Sequence, residues 1–118
     1  MTTPAEYNFS LYIGQTLKQP FTVWNDEAQT SPYSFTGHTI KSQIRLSYNS
    51  TQALTLTTTV VGNTIYLNAT PEAMRAFFVI QNAQSAKYYY DVEITKPDLS
   101  IWTLVRGVID VYPEVTKI

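Results

Sequence analysis

Apolar and polar residues alternate with a period of two along most of this chain, and that period predicts strands. Tyr7, Phe9, Leu11 and Ile13 point one way with Asn8 and Ser10 opposite, up to Gly14. Leu17, Phe21 and Val23 continue in a second strand, whose Pro20 places it at an edge or a bulge because proline donates no ladder hydrogen bond. A loop over 25–36 follows. The alternation of Ile40, Ser42, Ile44, Leu46 and Tyr48 against Lys41, Gln43, Arg45 and Ser47 predicts a strand with one buried and one wet face. Leu54 to Val60, a tight turn at Gly62-Asn63 and Ile65 to Ala69 read as a hairpin.

One segment leaves this period. Thr70-Pro71-Glu72 supplies an N-cap, a proline suited to the first helical position and an acid near the positive end of the helix dipole. Met74, Phe77 and Phe78 then recur at helical spacing, which predicts one short helix closing before Gln84. Tyr88, Tyr90, Val92 and Ile94 alternate with Tyr89, Asp91, Glu93 and Thr95, and after Lys96-Pro97-Asp98 a last strand runs from Ile101 to Tyr112. Seven strands and one inserted helix predict an all-β domain, an immunoglobulin-like antiparallel β-sandwich. No linker or repeat divides the sequence, and its 118 residues suit a single domain over 1–118.

Composition narrows the function classes. Charged residues are 14% of the chain, against roughly 25% in a typical soluble protein. Eight basic and nine acidic residues, without a run of either sign, give no electrostatic footprint for nucleic acid or anionic lipid. With no cysteine there is no disulfide framework, thiolate nucleophile or thiol-based metal site. No apolar run approaches a membrane span, and the first residues lack a signal-peptide pattern, so synthesis in a cytoplasm is expected. The Asn-x-Ser/Thr triplets at Asn8, Asn49 and Asn68 are then not read as glycosylation sites.

Candidate chemistry is sparse. His38 is the one histidine, read as a solvated turn residue, since alone it completes neither a zinc site nor a nucleophile–base pair. Asp91 and Glu93 project from one strand face at a spacing that a carboxylate pair or a calcium site could use, and are read instead as a surface pair beside basic residues of a neighbouring strand. Asp26-Glu27 reads as a turn, and the isolated glycines make no phosphate loop. The expectation is no enzyme, no cofactor and no metal. Aromatic placement is the unusual feature. With Tyr7, Phe9, Phe21, Ile44, Tyr90 and Ile109 assigned to the core, Tyr12, Trp24, Tyr66, Tyr89, Trp102 and Tyr112 fall on the opposite phase. There they either serve a partner interface or pack beneath the helix and the long loop. Val115 and Ile118 complete the candidate interface as anchors on a C-terminal extension.

Tyr90-Asp-Val-Glu-Ile-Thr95, the Pro97-Asp98 turn and Arg106-Gly-Val-Ile-Asp-Val-Tyr-Pro-Glu-Val-Thr-Lys117 resemble the closing hairpin of a family of small tailed-phage virion proteins related to the N-terminal domain of the phage baseplate upper protein. Phe35-Thr-Gly-His-Thr-Ile40, Gln43-Ile-Arg45 and Ile13-Gly-Gln-Thr16 are similar to its central and opening strands. The segment over 70–84 is longer than that family's usual connection. The resemblance implies a non-enzymatic virion structural protein, in the tail or baseplate, that contacts other virion proteins and forms a homo-oligomer or symmetric array. Two alternatives stand beside it: a capsid decoration protein, and a carbohydrate-binding adhesion module in which Trp24 or Trp102 stacks a sugar ring.

Overall fold

The computed structural model describes residues 5–47, 49, 53–80 and 86–113. The chain is all-β with one short helix. Its elements are β1 (Ala5–Glu6), β2 (Phe9–Tyr12), β3 (Leu17–Thr22), β4 (Thr39–Arg45), β5 (Leu54–Val61), β6 (Thr64–Ala69), α1 (Pro71–Ile80), β7 (Ala86–Thr95) and β8 (Ile101–Tyr112).

The strands form one curled sheet in the order β1-β8-β7-β4-β5-β6-β3, with β2 also paired to β8. Two separate layers are not what connects them. Strand β5 belongs to both halves, because Leu54 to Leu56 pair with β4 while Thr57 to Val61 pair with β6. The sheet curls until its halves face each other: Phe21 of β3 stacks on Tyr90 of β7 with ring centroids 6.4 Å apart. Inward residues such as Ile44, Ile65, Leu67, Val92, Ile94 and Ile109 are fully buried between them. Of the two positions that Pro20 allowed, an edge or a bulge, β3 takes the sheet edge.

The expectation of antiparallel pairing throughout needs correction: among the described residues the about seven strands expected are eight, and both β1 and β2 run parallel to β8. The break between them falls at Tyr7-Asn8, where the ladder continues through other groups. The Tyr7 amide donates to the Arg106 carbonyl at 3.0 Å, and the Val108 amide donates to the Asn8 side-chain carbonyl at 2.8 Å. The Tyr7 carbonyl turns inward and accepts from the Tyr90 hydroxyl at 2.6 Å. This twist takes the Tyr7 ring out of the core to 46% exposure, although its edge still meets Phe21.

The helix forms where its capping signals predict. Thr70 Oγ1 accepts from the Ala73 amide at 3.1 Å, and Pro71 occupies the first turn, where a missing N–H costs nothing. Met74, Phe77 and Phe78 bury one face against the core beside Tyr88, whose ring meets Phe78 edge-on at 5.0 Å. Ser42, the one buried polar or charged residue among the described residues, donates to the Asp91 carbonyl at 2.6 Å and so carries no unpaired group inward.

A bulge on β8 overturns one phase assignment. Val92 pairs with Val105 but Glu93 pairs with Thr103, so Leu104 is an extra residue. Beyond it the alternation inverts. Trp102 therefore stands opposite the buried Ile94 and packs against the core, not on the outer face, while Ile101 becomes the exposed one at 62%.

Candidate functional site

The outward face of β2, β8, β7 and β4 carries the side chains best placed to meet another molecule. At its end, the parallel register sets Tyr12 beside Tyr112, and the Ile13 amide donating to the Tyr112 carbonyl at 3.1 Å locks that register. The two rings stack with centroids 5.2 Å apart and planes 21° from parallel. They remain 51% and 38% exposed. An aromatic pair of this kind presents a rigid apolar surface with two hydroxyls at its margin, and it loses little side-chain entropy when covered.

Next along the face, Lys87 and Asp110 form an exposed ion pair at 2.9 Å, and the hydrogen bond and charge of Asp110 hold the Lys87 ammonium above its ordinary pKa. Tyr89 follows, opposite Val108 on one side and Arg45 on the other. Beyond it Gln43 stands opposite Asp91 and Lys41 opposite Glu93. Together Lys41, Gln43, Arg45, Tyr89, Asp91 and Glu93 line a groove of about 350 Å³. Burial pushes the Asp91 carboxyl up from its ordinary pKa, the neighbouring Glu93 pushes it further, and Arg45 partly offsets both. Asp91 and Glu93 thus sit beside basic residues of the adjacent strand, the surface arrangement that their spacing suggested.

The six aromatics of the candidate interface do not share one surface. Tyr12, Tyr89 and Tyr112 lie on this face. Tyr66 lies outward on β6, where Lys18 Nζ sits 5.0 Å from its ring centroid. Trp24 forms an isolated bridge with Pro32 at the base of the long loop. Trp102 lies under that loop, edge-on to Tyr33 at 5.6 Å, with Lys96 Nζ 5.5 Å from its ring. Val115 and Ile118 lie outside the described residues.

The long loop is built, not slack. The Asp26 carboxylate accepts from the amides of Thr30 and Ser31, both at 3.0 Å, and from the Thr30 hydroxyl. These bonds, with the Thr30 hydroxyl first, hold its carboxyl below the ordinary value. His38 is not the solvated turn residue expected. It is half-buried, its Nδ1 donates to the Thr36 carbonyl at 2.9 Å, and its Nε2 is paired with the Tyr33 hydroxyl at 2.9 Å. Its ring thereby clasps the loop above Trp102. Among the described residues, no group of three or more His, Cys, Asp or Glu is arranged to hold a metal ion. Among them, too, no helix is long and apolar enough to cross a membrane.

Two features of the surface leave no mark in the alternation. One is the Tyr12–Tyr112 pair, since its partners are a hundred positions apart in sequence. The other is the tip of the β7–β8 hairpin, where Leu99 is 79% exposed at φ +70°, a conformation that favours glycine. The Pro97-Asp98 sequence is the one signal that located this turn.

No family model matches the chain, and no curated protein matches it. Among solved structures it is similar to a family 123 glycoside hydrolase from Clostridium perfringens, at 12% identity and a TM-score of 0.42. That match covers 96% of this chain and 24% of the other, so the chain spans about a quarter of its length. A superposition this loose transfers neither a fold name nor an activity.

Proposed function

We propose that this chain is a non-enzymatic structural component of a tailed-phage virion, joining larger components of the tail or baseplate through protein–protein contacts. The observation that carries the reading is the exposed Tyr12–Tyr112 stack, set at the end of an outward sheet face in a chain of which only 14% is charged. Exposed aromatics that pack on each other are pre-ordered for a partner. Truncating one at an interface commonly costs about 2 kcal/mol or more of binding. The resemblance of the 90–95 and 106–117 segments to virion proteins supplies the kind of partner: other structural proteins, or copies of this chain in a symmetric array.

An adhesion module built on Trp24 or Trp102 is less favoured, because Trp102 is engaged by Tyr33 and Lys96 and Trp24 is half-buried at the base of the long loop. Edge-to-edge pairing through β3 is also disfavoured. Its Pro20 lacks a donor, and the Gln19 side-chain amide donates to the Pro20 carbonyl at 3.1 Å.

The test is particle assembly with a Tyr12→Ala, Tyr112→Ala double variant. Its melting temperature should stay near that of the parent while its copy number in purified particles, read by quantitative mass spectrometry, falls severalfold. A folded double variant at full occupancy would sink the proposed contact, and absence of the parent chain from purified particles would sink the virion reading itself.

A further inference from the structure

The groove over β4 and β7 is not needed for the tyrosine contact, and its chemistry is different. Two cations, Lys41 and Arg45, and two anions, Asp91 and Glu93, line it with the amide of Gln43 and the ring of Tyr89. Their formal charges cancel, so the groove selects neither a polyanion nor a polycation. Strand pairing alternates the polar groups, placing the donor Lys41 beside the acceptor Glu93 and the two-sided amide of Gln43 beside Asp91.

Several of these groups are already held in place. The Gln43 amide nitrogen donates to Thr55 Oγ1 at 3.2 Å, and the Gln43 carbonyl accepts from Arg45 at 2.9 Å. Asp91 is half-buried, and a partly desolvated carboxylate accepts strongly from a hydroxyl. The raised pKa of Asp91 records that desolvation. At about 350 Å³ the space is at the small end of ligand sites, which run roughly 300–1,000 Å³.

A ligand matched to this lining is uncharged, carries several groups that both donate and accept, and has an apolar face for the Tyr89 ring. A pyranose ring has all three properties. We propose that the groove binds a neutral saccharide unit, with Tyr89 against the ring, Asp91 and Glu93 accepting from its hydroxyls, and Lys41 and Arg45 donating to its oxygens. A phosphate or carboxylate ligand would meet Asp91 and Glu93, and a lipid chain would find a polar floor. The inference stands apart from the virion reading, since it uses none of the tyrosine pair.

The experiment is a titration of the full chain, labelled with nitrogen-15, against a panel of methyl pyranosides and neutral trisaccharides. At least one sugar should shift the amide resonances of Gln43, Tyr89, Asp91 and Glu93 saturably, with a dissociation constant in the millimolar range, where binding free energy is about −4 kcal/mol. Asp91→Ala and Tyr89→Ala should each weaken that binding tenfold or more while the melting curves show both folded, and the Tyr12→Ala, Tyr112→Ala variant should bind as the parent does. No saturable shift at the groove with any sugar of the panel, or shifts that survive Asp91→Ala and Tyr89→Ala, would overturn the proposal. Should either variant fail to fold, Lys41→Ala and Glu93→Ala replace it with the same expectation.

Discussion

A Cβ placed on Gly107 would lie 2.0 Å from the carbonyl oxygen of Tyr7. The N-terminal segment, running alongside β8, therefore presses against it where β8 has no side chain, and this close approach lets the Tyr7 carbonyl reach the Tyr90 hydroxyl. Gly107→Ala cannot be absorbed by a rotamer change, because the opposing atom is backbone. It should cost about 3 kcal/mol or more, at or beyond the usual range for overpacking. Tyr90→Phe removes only the donor and should cost about 1–3 kcal/mol through the carbonyl left unpaired. Urea unfolding of the two variants checks both, and a Gly107→Ala variant as stable as the parent would refute the close approach.

The hairpin tip offers the opposite case, a substitution that should stabilise. Leu99 adopts φ +70° after Pro97-Asp98, with the Lys96 amide donating to the Ser100 carbonyl at 2.9 Å and the Leu99 amide to the Lys96 carbonyl at 2.8 Å. Its side chain is mostly exposed and packs little, while the left-handed backbone costs roughly 1–2 kcal/mol for a residue with a Cβ. Glycine relieves that cost but adds unfolded-state entropy, so Leu99→Gly should gain about 0.5 kcal/mol. Denaturant midpoints measure the difference, and a loss would mean that Leu99 makes contacts that its exposure denies.

Stability should depend on pH through Asp91. Its carboxyl is held above the ordinary value in the folded chain, by burial first and Glu93 second, so the folded state binds the proton more tightly than the unfolded one. The stabilisation from protonation is complete below the unfolded pKa and is lost as pH rises through the folded one. At neutral pH the ionised group is a net cost. Asp91→Asn should accordingly raise the melting temperature at pH 7, and the advantage should shrink as pH falls through the carboxylate range. A constant offset between the two proteins from pH 3 to pH 7 would show that Asp91 is not the group responsible.

The bulge at Leu104 makes a distinction among the aromatics. Trp102 packs inward beneath Tyr33, so Trp102→Ala should cost about 3 kcal/mol of fold stability, the low end for a truncated core aromatic. Tyr12→Ala, on the exposed stack, should cost under about 1 kcal/mol. Thermal melts of the isolated domain separate them. Equal losses would place Tyr12 in the core, and a neutral Trp102→Ala would return Trp102 to the surface.

Alternation by itself determined most of the core-facing residues of β4, β5, β6 and β7, although Val60, on the phase of Leu54 and Leu56, is 41% exposed, and Leu46, on the phase of Ile44, lies beyond the end of β4 at 44%. Ile44, Leu56, Ile65, Val92 and Ile94 are all buried, because burial on one face of a pleated strand requires a period of two. Local chemistry also determined the capped helix after Thr70 and the turn at Pro97-Asp98, and through Pro20 it limited β3 to an edge or a bulge. Tertiary structure alone decided that β1 and β2 run parallel to β8, that Tyr12 meets Tyr112, that His38 clasps Tyr33, and that Asp91 and Glu93 share a groove with Arg45 and Lys41. A strand's alternation records which side is wet, and says nothing of the direction or identity of the strand beside it. A single inserted residue inverts every phase beyond it without disturbing the pattern on either side. That is why Trp102 reads as outward from the sequence and is inward in the fold: its phase is set by the pairing of Glu93 with Thr103 across the sheet.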